Sequence, residues 1–215
     1  MEGWLIMVVT GIIGSKNNSI ILKSISSLLS EKSVKAAILE LQNFIEGNGE
    51  VLSSYLKELS KNNIELAIIY INDESIKFIN NILTDFDIML FYMDNNNLKF
   101  LEANKDSFSH AIDHIKKEGF LIINSDILIF SEILEGKALH FVTYGFNSKA
   151  NITASSVGDG FSEEFFQCSL QRPNINIKKG VVEPQEFKYR RFYATASDYE
   201  MLAVIALGIV LGIDM

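Results

Sequence analysis

The sequence predicts an α/β fold with three layers, in which a mostly parallel β-sheet lies between two layers of helices. Two observations predict it. Apolar runs that are typical of buried strands alternate with helical patterns through the first two-thirds of the chain, and this alternation indicates a parallel sheet covered on both faces. After Lys149 the helical patterns stop and short β-rich runs follow one another, which indicates a small antiparallel β extension.

The elements of the parallel part are placed by apolar periodicity. In the first helical pattern, Ile21, Ile25 and Leu28 recur at the spacing of one helix face. A fully buried strand shows instead as a short, unbroken apolar run. On these criteria we expect strands at residues 5–9, 64–71, 86–92, 120–123 and 139–143, and helices at residues 21–29, 51–59 and 108–115.

The last third of the chain completes what we expect to be a single domain over residues 1–215. The thirteen residues from Met201 to Ile213 carry no charge, but a helix that spans a bilayer needs about 20 apolar residues. A buried core helix is therefore expected there. The predicted parts are an α/β core at 1–148, a β-rich extension at 149–192 with runs at 151–157, 163–170, 175–182 and 187–192, and a closing helix at 193–215.

Composition and charge exclude several classes of function. Hydrophobic residues make up 48% of the 215 residues, which is enough for a globular domain with a core. The net charge is −8, so nucleic acid is not an expected partner. The single cysteine, Cys168, excludes an internal disulfide and fits a reducing compartment, and the start of the chain lacks the pattern of a signal peptide. We expect a cytoplasmic protein without a membrane partner.

A glycine-containing segment follows the first predicted strand. Residues 10–17 read Thr-Gly-Ile-Ile-Gly-Ser-Lys-Asn and lead into the first helical pattern. A strand, a glycine turn and a helix N-terminus together present backbone N–H groups to a phosphate. The candidate nucleotide-binding residues are Thr10, Gly11, Gly14, Ser15, Lys16 and Asn17.

Further segments in chain order carry a resemblance to a known family. They are the glycine segment, Phe86-Asp87-Ile88, residues 101–105 ending at Lys105, residues 120–126 with Asn124 and Asp126, Thr143-Tyr144-Gly145, and residues 202–214. In this order they resemble the central, ATP-binding domain of the Mur ligases, to which folylpolyglutamate and cyanophycin synthetases are related. The resemblance implies a P-loop-type three-layer fold and, for an active member, ATP, Mg²⁺ and amide-bond formation through an acyl phosphate. It also matches Lys105 to the carbamylated lysine of the family.

The same resemblance reveals departures at the positions that hold nucleotide and metal. Ser15 stands where the family has its phosphate-binding lysine, and Lys16 comes one residue late, a step that rotates a helical side chain by about 100°. Asn17 replaces the magnesium-binding hydroxyl. Tyr70 replaces a metal-binding glutamate, and residues 92–97 lack the family's histidine. Because catalysis of phosphoryl transfer depends on such charge neutralisation, we expect neither catalytic residues nor a metal site.

Three polar residues outside the glycine segment form a candidate ligand rim. Lys105 is either a carbamate-bearing ligand or a surface lysine on a polar helix face. Asn124 and Asp126 follow the strand at 120–123, where ligands of parallel sheets bind. They are also placed to form a polar turn before the next helix. The sequence leaves these alternatives open.

Two other groups of residues favour structural roles. His110, Asp113 and His114 lie at i, i+3 and i+4, a spacing that can hold a metal. Apolar residues of the same helix occupy its core face, so a solvated face is the favoured interpretation for the two histidines. Cys168 belongs to an alternating β-run and is expected to be buried by packing.

These observations predict a stand-alone, degenerate Mur-ligase-like domain that has lost ligase activity and binds a ligand or a protein, with no cofactor. The alternative is an ATP-dependent carboxylate–amine ligase with ATP and Mg²⁺ as cofactors and Lys16 on the phosphates. It would be one part of a split enzyme of cell-wall or related peptide biosynthesis. Because the flanking domains of the family are expected to be absent, the surface left by them would favour a protein partner or a homo-oligomer.

Overall fold

A nine-stranded sheet forms the middle layer of the protein. The computed structural model describes residues 7–15, 19–47, 49–93, 98–127, 130, 134, 139–155, 165–193 and 195–215. The strands in chain order are β1 Val8–Ile13, β2 Ala36–Glu40, β3 Leu66–Ile71, β4 Phe86–Phe91, β5 Ile115–Asn124, β6 His140–Tyr144, β7 Ile152–Ala154, β8 Phe165–Leu170, β9 Asn174–Ile175, β10 Val181–Val182 and β11 Gln185–Arg190.

The strand order confirms the predicted fold class. In the described residues the sheet runs β11-β8-β7-β6-β5-β4-β1-β3-β2, and β9 pairs with β10 in a separate hairpin. Strands β1 to β6 are parallel, whereas β7, β8 and β11 pair antiparallel. The β-rich extension is therefore largely a continuation of the main sheet. Its first strand also meets β6 in parallel, through the single pair Tyr144 and Ile152, where only antiparallel pairing was expected.

Helices cover both faces of the parallel strands. They are α1 Ser19–Glu31, α2 Glu50–Lys61, α3 Leu98–Ala103, α4 Lys105–Asp113 and α5 Asp198–Leu211, with 3-10 helices at Leu41–Gly47 and Ile76–Asn81. One apolar core joins the sheet to α1 and α5, and the other joins it to α2, α4 and the helix at Ile76–Asn81. This arrangement gives the three layers that the sequence predicts.

Helix α5 is the buried core helix that the uncharged segment predicts. Twelve of its residues, from Glu200 to Leu211, are buried, and it contacts α1 and strands β5 to β8. A helix that is apolar on every side belongs inside a core. Its start is fixed by a capping box between Ser197 and Glu200. Among the described residues, no helix is both long and apolar enough to cross a membrane.

Several elements differ from the sequence prediction. The helix predicted over 108–115 ends at Asp113, and Ile115 begins β5 instead. The β-run predicted at 175–182 forms two short strands, β9 and β10. Strand β2 was not predicted, because it lies at a sheet edge and its residues are half-buried or exposed instead of forming a buried apolar run. Strand β1 was predicted to end at Val9 but continues to Ile13, with every residue buried. The extension of β1 to Ile13 changes the interpretation of the glycine segment.

Candidate ligand rim at the carboxyl edge of the sheet

The carboxyl ends of parallel strands are where α/β folds bind ligands. In this protein β1, β3, β4 and β5 end side by side, as the register of their neighbouring pairs shows. We call this edge the strand-end rim; its described residues include Gly14, Ser15, Tyr70, Tyr92 and Asn124. Thr10 was expected at this rim, and the structure places it elsewhere.

The predicted glycine turn does not begin at Thr10. Both Thr10 and Gly11 lie inside β1, paired with β3 on one side and β4 on the other. A side chain at Gly11 would place its Cβ 2.9 Å from the Sδ of Met89, so the glycine is needed for close packing inside the sheet. This placement corrects the expectation that the chain leaves the sheet at these two residues.

The sheet continues to the second glycine. The Gly14 N–H donates to the carbonyl of Ile71 at 3.1 Å, and the Ile13 carbonyl accepts from the Tyr92 N–H at 2.8 Å. These backbone groups therefore hold β1 to its two neighbours. A phosphate cradle needs backbone N–H groups that are free of such partners. The turn begins only at Gly14, and α1 begins at Ser19; Lys16 and Asn17 lie outside the described residues.

Thr10 is buried in the core below the rim. Its side chain is fully buried and faces the layer of α1, together with Val8 and Ile12 of the same strand. The residue lies three positions before the end of β1, which is roughly 10 Å along a strand. Within the described residues its hydroxyl has no hydrogen-bond partner.

Tyr70 closes the rim beside the glycine turn. Its hydroxyl donates a hydrogen bond to the carbonyl of Ser15, 55 residues away in sequence, and its side chain is only 5% exposed. Burial raises the pKa of Tyr70 well above its ordinary value, and the nearby negative charges of Asp73 and Glu40 raise it further. The phenol therefore stays protonated and acts as a neutral donor.

Two further tyrosines lie at the ends of neighbouring strands. The sequence places Tyr92 at this rim, whereas Tyr144 was not expected there. Tyr92 follows β4 and is buried. Tyr144 ends β6, is fully buried and donates to the carbonyl of Phe91 at 3.1 Å. The signal was present in the sequence, because a tyrosine lies at or next to the end of each of three apolar runs. Aromatic side chains therefore pack at the rim, and the hydroxyls of Tyr70 and Tyr144 donate to backbone carbonyls.

Asn124 ties together the ends of two strands. Its side chain is 1% exposed. The amide nitrogen donates to the carbonyl of Met93 at 3.2 Å, and the amide oxygen accepts from the Asp126 N–H at 2.9 Å. Such a local side-chain-to-backbone bond is typical of a polar turn. Asn124 thus forms a polar turn, and its role in ligand binding stays a prediction.

Asp126 connects this turn to the loop after β6 and to α5. Its carboxylate accepts from the Phe146 N–H at 2.7 Å, from the Asn147 side chain at 2.7 Å and from the Tyr199 hydroxyl at 3.0 Å. Partial burial of the carboxyl opposes ionisation, but these hydrogen bonds outweigh it and lower the pKa of Asp126 below its ordinary value. The charge is already satisfied by groups of the protein itself.

The remaining described candidates lie on α4 or in β8. Lys105 is the first residue of α4, and its side chain is exposed. His110 is exposed and lies 3.0 Å from the side-chain amide of Asn80. The described residues contain no cluster of histidine, cysteine, aspartate or glutamate that could hold a metal ion. Cys168 is buried as predicted, and burial raises the pKa of its thiol to about 12.

Several solved structures resemble this chain in fold, although the sequence itself matches no family model. No curated protein matches it significantly. A solved UDP-N-acetylmuramoyl-L-alanyl-D-glutamate–2,6-diaminopimelate ligase has 15% identity over 97% of this chain and 44% of its own, with a TM-score of 0.62. The MPL ligase from Neisseria meningitides has 11% identity over 97% and 63%, with a TM-score of 0.62. The MurF ligase from Thermotoga maritima, in complex with ADP, has 12% identity over 97% and 46%, with a TM-score of 0.57.

The three layers define an α/β protein with a mostly parallel sheet. Within that class, the chain has the fold of the Mur ligase central domain, and its structural neighbours also include folylpolyglutamate synthetase. At identities of 9 to 15% this likeness establishes the fold alone. The chain spans 44 to 63% of the length of the neighbours described above.

Proposed function

We propose that this chain is a Mur-ligase-type domain without ligase activity, which acts as a ligand- or protein-binding module. One observation carries the proposal: the segment from Gly11 to Gly14 is part of the sheet, where a nucleotide-binding member needs a phosphate cradle. Its backbone is paired with β3 and β4 up to the bonds at Gly14 and Ile13. Freeing these groups for a triphosphate would break sheet hydrogen bonds on both sides of β1.

The residues present also fit magnesium poorly. Mg²⁺ prefers carboxylate, carbonyl and water oxygens in octahedral geometry. The position that resembles the family's metal-binding glutamate holds Tyr70, which is neutral and donates to Ser15. Asp126 and Asn124 direct their oxygens to N–H groups of the protein. The described part of the rim therefore supports a role in binding without phosphoryl transfer.

Titration calorimetry tests the proposal directly. Wild-type protein titrated with MgATP, and separately with ADP, is expected to give no binding heat, because the described backbone from Gly11 to Gly14 is bonded within the sheet. The MurF ligase that was solved in complex with ADP, measured under the same conditions, is the positive control. Tight, magnesium-dependent heat that disappears in the Lys16→Ala variant would contradict the proposal, since it would require a working nucleotide site.

The second candidate function is an ATP-dependent carboxylate–amine ligase, or one part of such an enzyme. The observation in its favour is that neighbours with this fold were solved as complexes with ADP and with AMPPCP. It predicts release of phosphate from MgATP once acid and amine substrates and a chain carrying the remaining domains are present. The protein to add to this assay would be the product of a neighbouring gene that encodes Mur-type flanking domains without a central domain.

The binding role has its own test. Under the proposal, the protein immobilised on a solid support at neutral pH retains a specific partner or ligand from a lysate of the cells that produce it. The retained species should be lost when the loop held by Asp126 is released in the Asp126→Asn variant, because this loop borders the rim. Retention that is equal for wild type and variant would place the binding surface elsewhere.

A further inference from the structure

Strand β11 forms one edge of the nine-stranded sheet, and no described strand pairs with its outer side. Across the described residues it pairs with β8 alone. No hydrogen bond from that part of the chain reaches the outer backbone groups of Glu186 or Lys188. The strand has six residues and no proline. Such an edge presents a row of N–H and C=O groups to which another strand can add.

The hydrogen bonds between β7 and β8 show which groups of β11 point outward. The Ser155 N–H donates to the Gln167 carbonyl at 3.1 Å. The Gln171 N–H donates to the Asn151 carbonyl at 2.7 Å. Since bonding direction alternates along an antiparallel strand, Gln167 and Gln171 face β7. Cys168, next to Gln167, therefore turns its backbone groups toward β11.

The register then fixes the direction of each residue in β11. Phe187 lies opposite Cys168, so Phe187 exchanges hydrogen bonds with β8. Its neighbours Glu186 and Lys188 turn their N–H and C=O groups away from β8, toward the open side. Their side chains share one face of the sheet and are exposed. Glu186 and Lys188, which carry opposite charges, therefore flank Phe187, whose backbone bonds to β8.

This charge pattern is complementary to itself. When two copies of β11 lie antiparallel with a two-fold axis at Phe187, Glu186 of each copy comes opposite Lys188 of the other. The same two pairs exchange backbone hydrogen bonds, because both residues face outward. Opposite charges in directly opposed positions stabilise an antiparallel pair. The contact is isologous, as expected for a closed two-fold dimer.

Neighbouring registers oppose like charges. Moving the axis to Glu186 places the two glutamates opposite each other, and moving it to Lys188 places the two lysines opposite each other, which destabilises the pair. The Lys188-centred register also brings Glu186 opposite Arg190 of the other copy. Charged residues commonly protect an edge from association, but the Phe187-centred register is the one of these three without directly opposed like charges.

We propose that two copies of this chain associate through β11, antiparallel and centred on Phe187, so that their sheets become one continuous sheet. This inference goes beyond the proposed function and does not depend on it, since β11 lies at the opposite side of the sheet from β1 and β3. The partner is a second copy of the chain, and the specificity comes from the Glu186–Lys188 pairs.

Sedimentation velocity over a wide range of protein concentration tests the dimer. Wild type is expected to reach twice the 24.2 kDa mass of one chain. Either charge reversal, Lys188→Glu or Glu186→Lys, should raise the dissociation constant about tenfold or more, because two attractive pairs become repulsive. The double variant Glu186→Lys/Lys188→Glu should restore the dimer, which only the Phe187-centred register predicts.

Lys57→Glu is the matched control, because Lys57 is an exposed lysine of α2 and its reversal changes the net charge equally. Circular dichroism and thermal melts confirm that each variant is folded. A wild type that stays monomeric at all concentrations would overturn the proposal. So would a dimer unaffected by Lys188→Glu, or a double variant that fails to regain the affinity of the wild type.

Discussion

At the scale of single residues, two threonines of the sheet differ in how their hydroxyls are satisfied. The Thr10 hydroxyl is fully buried and has no partner in the described residues. The Thr143 hydroxyl donates to the side chain of Asn151 at 2.7 Å and accepts from its backbone N–H at 2.9 Å. A buried polar group without a hydrogen bond costs stability. The two positions therefore respond in opposite directions to the same substitution.

Thr10→Val is expected to stabilise the protein by about 1 kcal/mol, because valine keeps the branched shape and removes an unpaired buried hydroxyl. Urea unfolding measures the change as a higher midpoint with an unchanged slope. Thr143→Val is the control and is expected to lose about 1 kcal/mol, since it breaks the bonds to Asn151. Destabilisation by Thr10→Val would show that the hydroxyl has a partner.

The carboxylate of Asp126 gives stability a pH dependence. Its pKa is lowered in the folded protein, so its contribution is present above the unfolded pKa near 3.8 and is lost as pH falls through the folded pKa. We expect Asp126→Asn to be less stable than wild type at neutral pH, with a difference that shrinks in acid. Urea unfolding at pH 7, 5, 4 and 3 measures it.

The comparison for this carboxylate is Asp85→Asn, because Asp85 is exposed in the loop before β4. The difference between wild type and Asp85→Asn should stay small across the same range. If Asp126→Asn lost the same stability at pH 7 and pH 3, the hydrogen bonds from the loop and from Tyr199 would not depend on an ionised Asp126.

At the scale of elements, α5 is the segment for which local signals and tertiary structure agree best. Its uncharged run predicts burial, and the capping box between Ser197 and Glu200 fixes its start through contacts within a few residues. Gly212, with φ at +66°, ends it in the left-handed conformation. Each signal acts over a few residues, which is why the sequence suffices.

Ser197→Ala is expected to destabilise the protein by about 1 kcal/mol, because the helix loses the side-chain bond to the Glu200 N–H. The thermal midpoint measures the loss. Ser26→Ala, an exposed position inside α1, is the control and should be neutral or slightly stabilising, since alanine favours helix. Equal midpoints for the Ser197 variant and wild type would show that the cap does not limit stability.

Strand β1 shows where local signals mislead. Glycine after an apolar run commonly marks a turn, and the prediction of a phosphate-binding turn followed from it. In the folded protein Gly11 instead makes room for Met89 and Phe86 of the neighbouring strand. The residues that explain this glycine are more than 70 positions away, so no local pattern contains them.

At the scale of the whole molecule, the order of segments along the chain was enough to predict the fold, because alternating strands and helices leave few ways to build a parallel sheet. The rim was not predictable in the same way. The bond from Tyr70 to Ser15 spans 55 positions, and that from Tyr199 to Asp126 spans 73. Contacts of this length depend on the completed fold.

The position of α5 has a consequence for synthesis. Strands β5 to β8 face this helix, yet it is made after all of them, so their apolar side stays uncovered on the ribosome until residues 198–211 have emerged. A nascent chain of this kind exposes hydrophobic surface from the synthesis of β5 until the last helix is complete. Chaperones would therefore meet it during this interval, and a stop codon introduced before Asp198 would yield an aggregating product in place of a smaller folded one.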